Sequence, residues 1–311
     1  MNYRKAVRAG IELSQVGLGC NRLGEEGKDD RHWIDLVQRA VELRINIFDT
    51  AQGYGGGRSE QILGQALGNR DDVYVASKIG HSEGGFTPEE MARKIEMSLT
   101  RLQRDRVDIL QLHSPSREEL ERYDWAEGMQ RLQDAGKVGF KAMALDSVES
   151  AVWLIRQDVV DFMQITYNIF DIEAEHELFA LAEEKGVALL CRLPLAQGVL
   201  TGKFSPGRDM GDHRARFSGP RLAARVEMAE TLRPLAEAYP GGMTRLAHDF
   251  SLGPVATTCI IPGARDVVQL EENAAAGEGT GVDAATRAEV EQLRRTWGEW
   301  AGGYWFPQQP A

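Results

Sequence analysis

Residues 73–112 read VYVASKIGHSEGGFTPEEMARKIEMSLTRLQRDRVDILQL. The stretch opens and closes on apolar runs, Val73–Lys78 and Val107–Leu112. Near-continuous apolar runs of this length suit strands buried on both faces of a parallel sheet. Between them, Met91, Ile95, Leu99 and Leu102 recur at helical spacing, which puts them on one face of a 3.6-residue helix. Thr87-Pro88-Glu89-Glu90 introduces that pattern. It supplies a hydroxyl to cap the helix, a proline where a missing N–H costs nothing, and acids at the positive end of the helix dipole. Strand, helix and strand in this order form a right-handed parallel crossover.

The same alternation extends outward in both directions. Further strand-like runs lie at Val16–Gly19, Asn46–Asp49, Val138–Leu145, Phe162–Tyr167, Val187–Arg192 and Cys259–Pro262. Helical patterns separate them, as in Trp33, Leu36, Val37, Ala40 and Val41. Eight strand-like runs alternating with helices point to a closed (β/α)8 TIM barrel rather than an open doubly wound sheet. Residues 1–14 precede the first barrel strand and are expected to form a β-hairpin closing the barrel floor. Residues 203–220 form a Gly/Pro/Arg-rich insertion after the seventh strand, and a C-terminal helix and tail follow the eighth. A prior of about 150 residues per domain would divide the 311 residues in two. No linker or composition break divides them, and barrels run to about 250 residues as one unit, so residues 1–311 are read as a single domain.

Hydrophobic residues make up 42% of the chain and charged residues 27%, an ordinary globular composition. Lys and Arg number 36 against 47 Asp and Glu, for a net charge of −11. That balance argues against general affinity for nucleic acid or an anionic membrane, which needs clustered cations. The three cysteines, Cys20, Cys191 and Cys259, offer neither a C-x-x-C pair nor an even count for a disulfide framework. The N-terminus lacks the apolar core of a signal peptide, and no run is long enough to span a bilayer. A cytoplasmic location is the resulting expectation.

In such a barrel, chemistry belongs at the C-terminal ends of the strands. Asp49, Lys78, His113 and Arg192 each close an otherwise apolar run there. Taken singly, each has an ordinary reading as a cap, a snorkelling terminus or a satisfied core histidine. Four at the same end of different strands are hard to explain by accident.

At these residues the chain resembles the aldo-keto reductase superfamily. Asp49-Thr50-Ala51-Gln52-Gly53-Tyr54-Gly55 is similar to its D-T-A-x-x-Y-G signature. Collinear matches follow at Ser77-Lys78, Val107-Asp108 to Leu112-His113, Gly136-Lys137-Val138, and Gln164 with Tyr167-Asn168. The series ends with Pro194-Leu195-Ala196-Gln197-Gly198-Val199-Leu200-Thr201-Gly202-Lys203 and Ile261-Pro262-Gly263-Ala264-Arg265 to Glu272-Asn273. One such motif is weak; the series spans nearly the whole chain. The Ile-Pro-Gly-Ala segment is closest to the branch of bacterial reductases and potassium-channel β subunits.

The resemblance implies NADPH-dependent interconversion of a carbonyl and an alcohol, without metal. It puts a catalytic tetrad on Asp49, Tyr54, Lys78 and His113. Physical chemistry supports those roles, because a phenol titrates near ~10 and is a poor acid at neutrality. An ammonium beside it favours the anion, and a carboxylate keeps that ammonium charged and aimed. A neutral imidazole can orient a substrate carbonyl. The cofactor is implied to lie along Gln164, Arg192, Leu193, Pro194, Leu195 and Lys203, with its adenosine on Gly263, Arg265, Gln269, Glu272 and Asn273.

Other phosphate motifs are missing. Gly17-x-Gly19 has its next glycine at Gly24, the wrong spacing for a dinucleotide turn, and Gly198 and Gly202 stand one residue too close to Lys203 for a P-loop. The segment 203–221 does suit phosphate: Lys203, Arg208, Arg214, Arg216 and Arg221 face only Asp209 and Asp212, or 5 − 2 = +3. The resemblance lays this loop over the pyrophosphate. Arg265 is read as the only cation available there for a 2′-phosphate, so NADP(H) is favoured with NAD(H) admissible.

Two positions depart from the family. The G-x-S-N at the end of the fifth strand, whose Ser and Asn hold the nicotinamide carboxamide, is replaced by Met143-Ala144-Leu145. The residue stacked on the nicotinamide is often aromatic, and here it is Arg192, whose planar guanidinium can also stack. Trp297, Trp300, Tyr304, Trp305 and Phe306 crowd the C-terminus and read as packing residues ahead of a substrate cover. Two rival functions share these residues: a redox-silent regulatory protein that senses cofactor, and a lyase or epimerase that retains it. Substrate identity and oligomeric state are not legible, because pocket walls are built from variable loops.

Overall fold

The computed structural model describes residues 1–80, 85–205 and 220–297. Strands β1 (Tyr3–Ala6) and β2 (Ile11–Ser14) pair as an antiparallel hairpin. Eight parallel strands follow: β3 (Leu18–Gly19), β4 (Ile47–Asp49), β5 (Tyr74–Ile79), β6 (Val107–His113), β7 (Val138–Ala144), β8 (Phe162–Thr166), β9 (Ala188–Arg192) and β10 (Thr257–Ile260). Each pairs with its sequence neighbour. The sheet curls until its first and last strands meet at the bridges Val16↔Ile260 and Gly19↔Gly263. This is the expected (β/α)8 architecture with its N-terminal hairpin.

The helices surround the sheet and start where the sequence signals them. Helix α1 (Asp30–Glu42) is capped by Asp29, which accepts from the His32 N–H, and buries Trp33, Leu36, Val37 and Ala40. Helix α2 (Arg58–Leu67) follows β4. Helix α3 (Pro88–Leu102) has Thr87 as its cap and buries Met91, Ile95 and Leu102. The strand-to-helix alternation is looser than one helix per strand. Two short helices, Arg117–Arg122 and Trp125–Asp134, follow β6, and three, Pro220–Thr231, Arg233–Ala238 and Gly242–Leu252, precede β10. Past β10 come α4 (Val267–Ala275) and a final helix, Ala284–Arg295.

The core divides in two. The larger part lies between strands and helices; the smaller fills the barrel itself with Ile47, Ala76, Ile109, Ala142, Phe162, Leu190 and Cys259. Ala6 and Leu13 of the hairpin belong to the inner cluster, so the hairpin plugs the barrel floor. Successive strand side chains point to opposite faces. Two residues beyond each of Ile47, Ala76, Ile109, Phe162 and Leu190 therefore lies another inward position, and these are Asp49, Lys78, Gln111, Gln164 and Arg192. The apolar fill thus changes to a polar set toward the C-terminal end.

Gly17-x-Gly19 is the device that closes the barrel. The Gly17 and Gly19 amides donate to Ile260 O (2.8 Å) and Pro262 O (2.9 Å) across the seam. A Cβ on Gly19 would stand 2.8 Å from the Ile261 carbonyl oxygen, a backbone atom that cannot turn aside. Gly19→Ala is accordingly expected to destabilise the protein by about 1–3 kcal/mol, the usual range for overpacking. Urea denaturation checks this; a midpoint equal to the parent's would mean that the seam has slack.

Candidate active site

At the C-terminal end of the barrel, alternation puts a carboxylate and an ammonium in the interior together. Lys78 is fully buried and donates through Nζ to Asp49 Oδ2 (2.6 Å), the Thr50 carbonyl (2.9 Å) and the Tyr54 hydroxyl (3.4 Å). Asp49 Oδ1 accepts from Gln111 Nε2 (2.9 Å) and Gln164 Nε2 (2.8 Å). Burial alone would push the Lys78 ammonium down, but the charge of Asp49, with help from Tyr54, outweighs it and leaves Lys78 above its ordinary value. The ammonium also lies 5.0 Å from the Tyr54 ring centroid. His113 ends β6 and meets Tyr54 edge-on, with ring centroids 5.9 Å apart. The four residues singled out by the signature are therefore one cluster.

Tyr54 comes from the loop between β4 and α2, and glycine makes that loop possible. Gly55, Gly56 and Gly57 all have positive φ (56°, 63° and 98°), a conformation that side chains disfavour. A Cβ on Gly57 would sit 2.5 Å from the Arg101 guanidinium carbon. Beneath the turn, the buried Glu60 accepts from Ser77 Oγ (2.6 Å) and Ser98 Oγ (2.8 Å) and pairs with Arg101 (3.3 Å). A satisfied buried network of this kind holds its surroundings in one arrangement.

A cavity of about 770 Å3 runs from this cluster across the mouth of the barrel. Asp49, Tyr54, His113, Gln164, Arg192, Leu193, Pro194, Leu195, Lys203, Gly263, Arg265, Gln269, Glu272 and Asn273 all line it. Of the four tetrad residues, Lys78 alone lies behind the wall. Arg208, Arg214 and Arg216 lie outside the described residues, as do the side chain of Arg221 and the aromatic tail at Trp300, Tyr304, Trp305 and Phe306. Trp297 is described and packs as expected, tilted against Phe170 at 5.6 Å and donating to Thr231 Oγ1 (3.0 Å).

Several lining groups have settled partners. The Gln164 amide gives its N–H groups to Asp49 and to Gln111 Oε1 (2.9 Å), so what it can offer a ligand is its oxygen. The Arg192 guanidinium donates to Thr166 Oγ1 (3.2 Å), to the Leu145 carbonyl (3.0 Å) and to Asp146 Oδ1. These bonds to the ends of β7 and β8 fix its plane at the cavity wall. Ala144 and Leu145 are both buried, and Leu145 belongs to the core outside the barrel. At the other end, Gln269 Oε1 accepts from the Arg265 N–H (3.2 Å) and Asn273 Nδ2 donates to the Gly263 carbonyl (3.2 Å). Both brace the turn that carries Arg265.

Sequence reasoning missed Gln111, although its place two residues before His113 on an inward face was a usable signal. It also missed the loop after β3: Asn21, Arg22 and Glu25 line the cavity beside Arg265. Arg265 is therefore not the only cation at that end. Nothing in the local pattern of residues 21–25 marks them, because their role comes from the meeting of β3 and β10. Backbone strain gathers at the rim as well. Ser114 (φ 53°), Leu193 (56°), Ala196 (45°) and Gln197 (58°) hold left-handed conformations after β6 and β9, where strained residues accompany functional sites.

Comparison with known proteins gives this geometry a context. The model of the Aldo/keto reductase family matches residues 15–295. Aldo-keto reductase YhdN of Bacillus subtilis is 31% identical over 289 residues, covering 87% of each chain. The NADH-specific methylglyoxal reductase of Escherichia coli is 29% identical, covering 86% of this chain and 90% of its own. Among solved structures, the holo form of aldo-keto reductase AKR11C1 from Bacillus halodurans superposes with a TM-score of 0.79 at 27% identity, covering 94% of this chain and 96% of its own. The chain belongs to the aldo/keto reductase family of oxidoreductases.

Proposed function

We propose that the protein interconverts a small carbonyl compound and its alcohol with a nicotinamide dinucleotide, and that Tyr54 is the general acid and base. The observation that carries this reading is the chain of contacts from Asp49 through Lys78 to the Tyr54 hydroxyl, with His113 facing it at one end of a long cavity. The residues present suit the dinucleotide. The oxygen of Gln164 is the acceptor that a carboxamide N–H needs, and the fixed guanidinium of Arg192 offers a planar cation for stacking. Leu193, Pro194, Leu195 and Lys203 would line the path of the phosphates. Gly263, Arg265, Gln269, Glu272 and Asn273 would receive the adenosine. Arg265, with Arg22 beside it, supports NADP(H) as the cofactor, and NAD(H) suits the same cavity.

When bound, the dinucleotide supplies or accepts the hydride. The protein's part is proton transfer and orientation. In reduction, Tyr54 gives its proton to the oxygen of the carbonyl as negative charge builds there. The phenolic oxygen is left facing the Lys78 ammonium, an arrangement that stabilises developing charge without reorganisation. Asp49 holds that ammonium from behind, and Gln111 and Gln164 satisfy the second oxygen of Asp49. His113 orients the substrate oxygen toward Tyr54. Oxidation follows the same path in reverse.

A fluorescence titration with NADPH and NADH, followed by a panel of aldehydes, ketones and sugars, tests the reading. Multiple turnovers on any member support it; tight binding without turnover would favour a cofactor-sensing role. Tyr54→Phe is expected to lower kcat by about 10²–10⁴-fold, the range for loss of a general acid, with dinucleotide affinity unchanged. Full turnover in that variant would remove Tyr54 from the mechanism. Gln164→Ala is expected to weaken NADPH by up to about tenfold, as befits one lost hydrogen bond, and to spare 2′,5′-ADP, which lacks the nicotinamide. Equal weakening of both ligands would mean that Gln164 acts by holding the barrel end together.

Restoring the family's Ser–Asn pair is not expected to help here. Leu145 packs in the apolar shell outside the barrel, and an asparagine there would bury an amide among hydrocarbon side chains. Ala144→Ser alone, at an inward position level with Gln164, is the version that tests a lost carboxamide contact. It should tighten NADPH by a few-fold at most, about one net hydrogen bond; an unchanged affinity would mean that the carboxamide is held from elsewhere.

A further inference from the structure

The bridge between Gly19 and Gly263 brings the loops that follow them out side by side. Glu25 on the first loop faces Arg265 on the second, with 3.7 Å between carboxylate oxygen and guanidinium nitrogen. The same carboxylate pairs with Arg22. All three residues line the same cavity as Tyr54. The backbone that carries Arg265 is also pinned: its N–H donates to Gln269 (3.2 Å), and its carbonyl meets His32 Nε2 at 2.8 Å. The backbone is thus held in place, and the guanidinium it carries is partly neutralised by a neighbour that is itself negative.

We propose that Glu25 sets the cofactor preference of this protein. The inference rests on the reading that the cavity binds a nicotinamide dinucleotide. A 2′-phosphate reaching Arg265 must displace Glu25 or lie against it, and either course costs affinity. A 2′-hydroxyl pays neither penalty and can donate to the same carboxylate. Glu25 therefore offsets the advantage that Arg22 and Arg265 give to the phosphate, and the wild-type protein takes NADH and NADPH with affinities within about tenfold of each other. Discrimination of this kind comes as much from an opposing charge as from an attractive one.

Dissociation constants for NADH and NADPH, measured by fluorescence on the full chain, test the proposal. Glu25→Gln should tighten NADPH by about fivefold, the most that a part-exposed charge pair is usually worth, and leave NADH unchanged or slightly weaker. The gain should shrink at high salt, where such charges are screened. It should also shrink in an Arg265→Ala background, because the two residues act on one phosphate. Glu25→Lys should tighten NADPH further, and a melting curve for each variant confirms folding. An unchanged NADPH-to-NADH ratio in both Glu25 variants would overturn the proposal, as would a wild-type preference for NADPH above a hundredfold. Failure of the wild type to bind either dinucleotide would overturn the reading of the cavity itself, and this inference with it.

Discussion

Asp49 and Lys78 form a buried ion pair directly above the apolar fill of the barrel. Taking two such charges out of water is costly, and their attraction repays the cost only when every remaining donor and acceptor is matched. Here Asp49 receives three hydrogen bonds, from β5, β6 and β8, and Lys78 gives three, to a carboxylate, a backbone carbonyl and a phenol. Strands scattered along the chain must therefore end at compatible heights for the pair to be tolerated. Tyr54 gains its position from the same requirement, since its hydroxyl is one of the acceptors that the ammonium needs. The chemistry proposed for the site is in this sense a by-product of burying a charge pair well.

The architecture was legible because its signals are local. Apolar runs such as Val107–Leu112, alternating with capped helical patterns such as Thr87–Leu102, need only a few neighbouring residues to be read. The structure shifts their ends by one or two positions and adds helices after β6 and before β10. The cluster of Asp49, Tyr54, Lys78 and His113 was legible for a related reason: each member lies at or near the C-terminal end of a strand, or in the loop that follows one. Other features depend on pairs far apart in the chain. Glu25 and Arg265 are neighbours only because the barrel closes, and no window of sequence contains both. Gly17-x-Gly19 could be excluded as a nucleotide turn, but its service as the closing seam required sight of β10.

The replacement of Ser–Asn by Ala144–Leu145 also looks different in three dimensions. Inward and outward positions alternate along β7, so Ala144 faces the barrel end while Leu145 turns into the shell beneath the helices. The vacated polar role on this strand has not been refilled in place. Instead the backbone carbonyl of Leu145 and the side chain of Asp146 hold Arg192 across from β9. A cation is thereby fixed by its neighbours at the cavity wall, and the two departures read from the sequence prove to be joined by hydrogen bonds.

The seam between β3 and β10 has a consequence for biosynthesis. One stretch of the cavity lining, with Asn21, Arg22 and Glu25, follows the first barrel strand; the stretch beside it, with Gly263 and Arg265, follows the last. Chains emerge from the ribosome N-terminus first, and contacts between distant segments form late. The buried pair and its tyrosine can assemble once β8 is out, but a closed pocket must wait for nearly the whole polypeptide. Any nascent or prematurely terminated chain short of β10 would expose apolar strand edges and lack half of its ligand site. Quality control would then meet an open sheet, a form prone to pair with other chains.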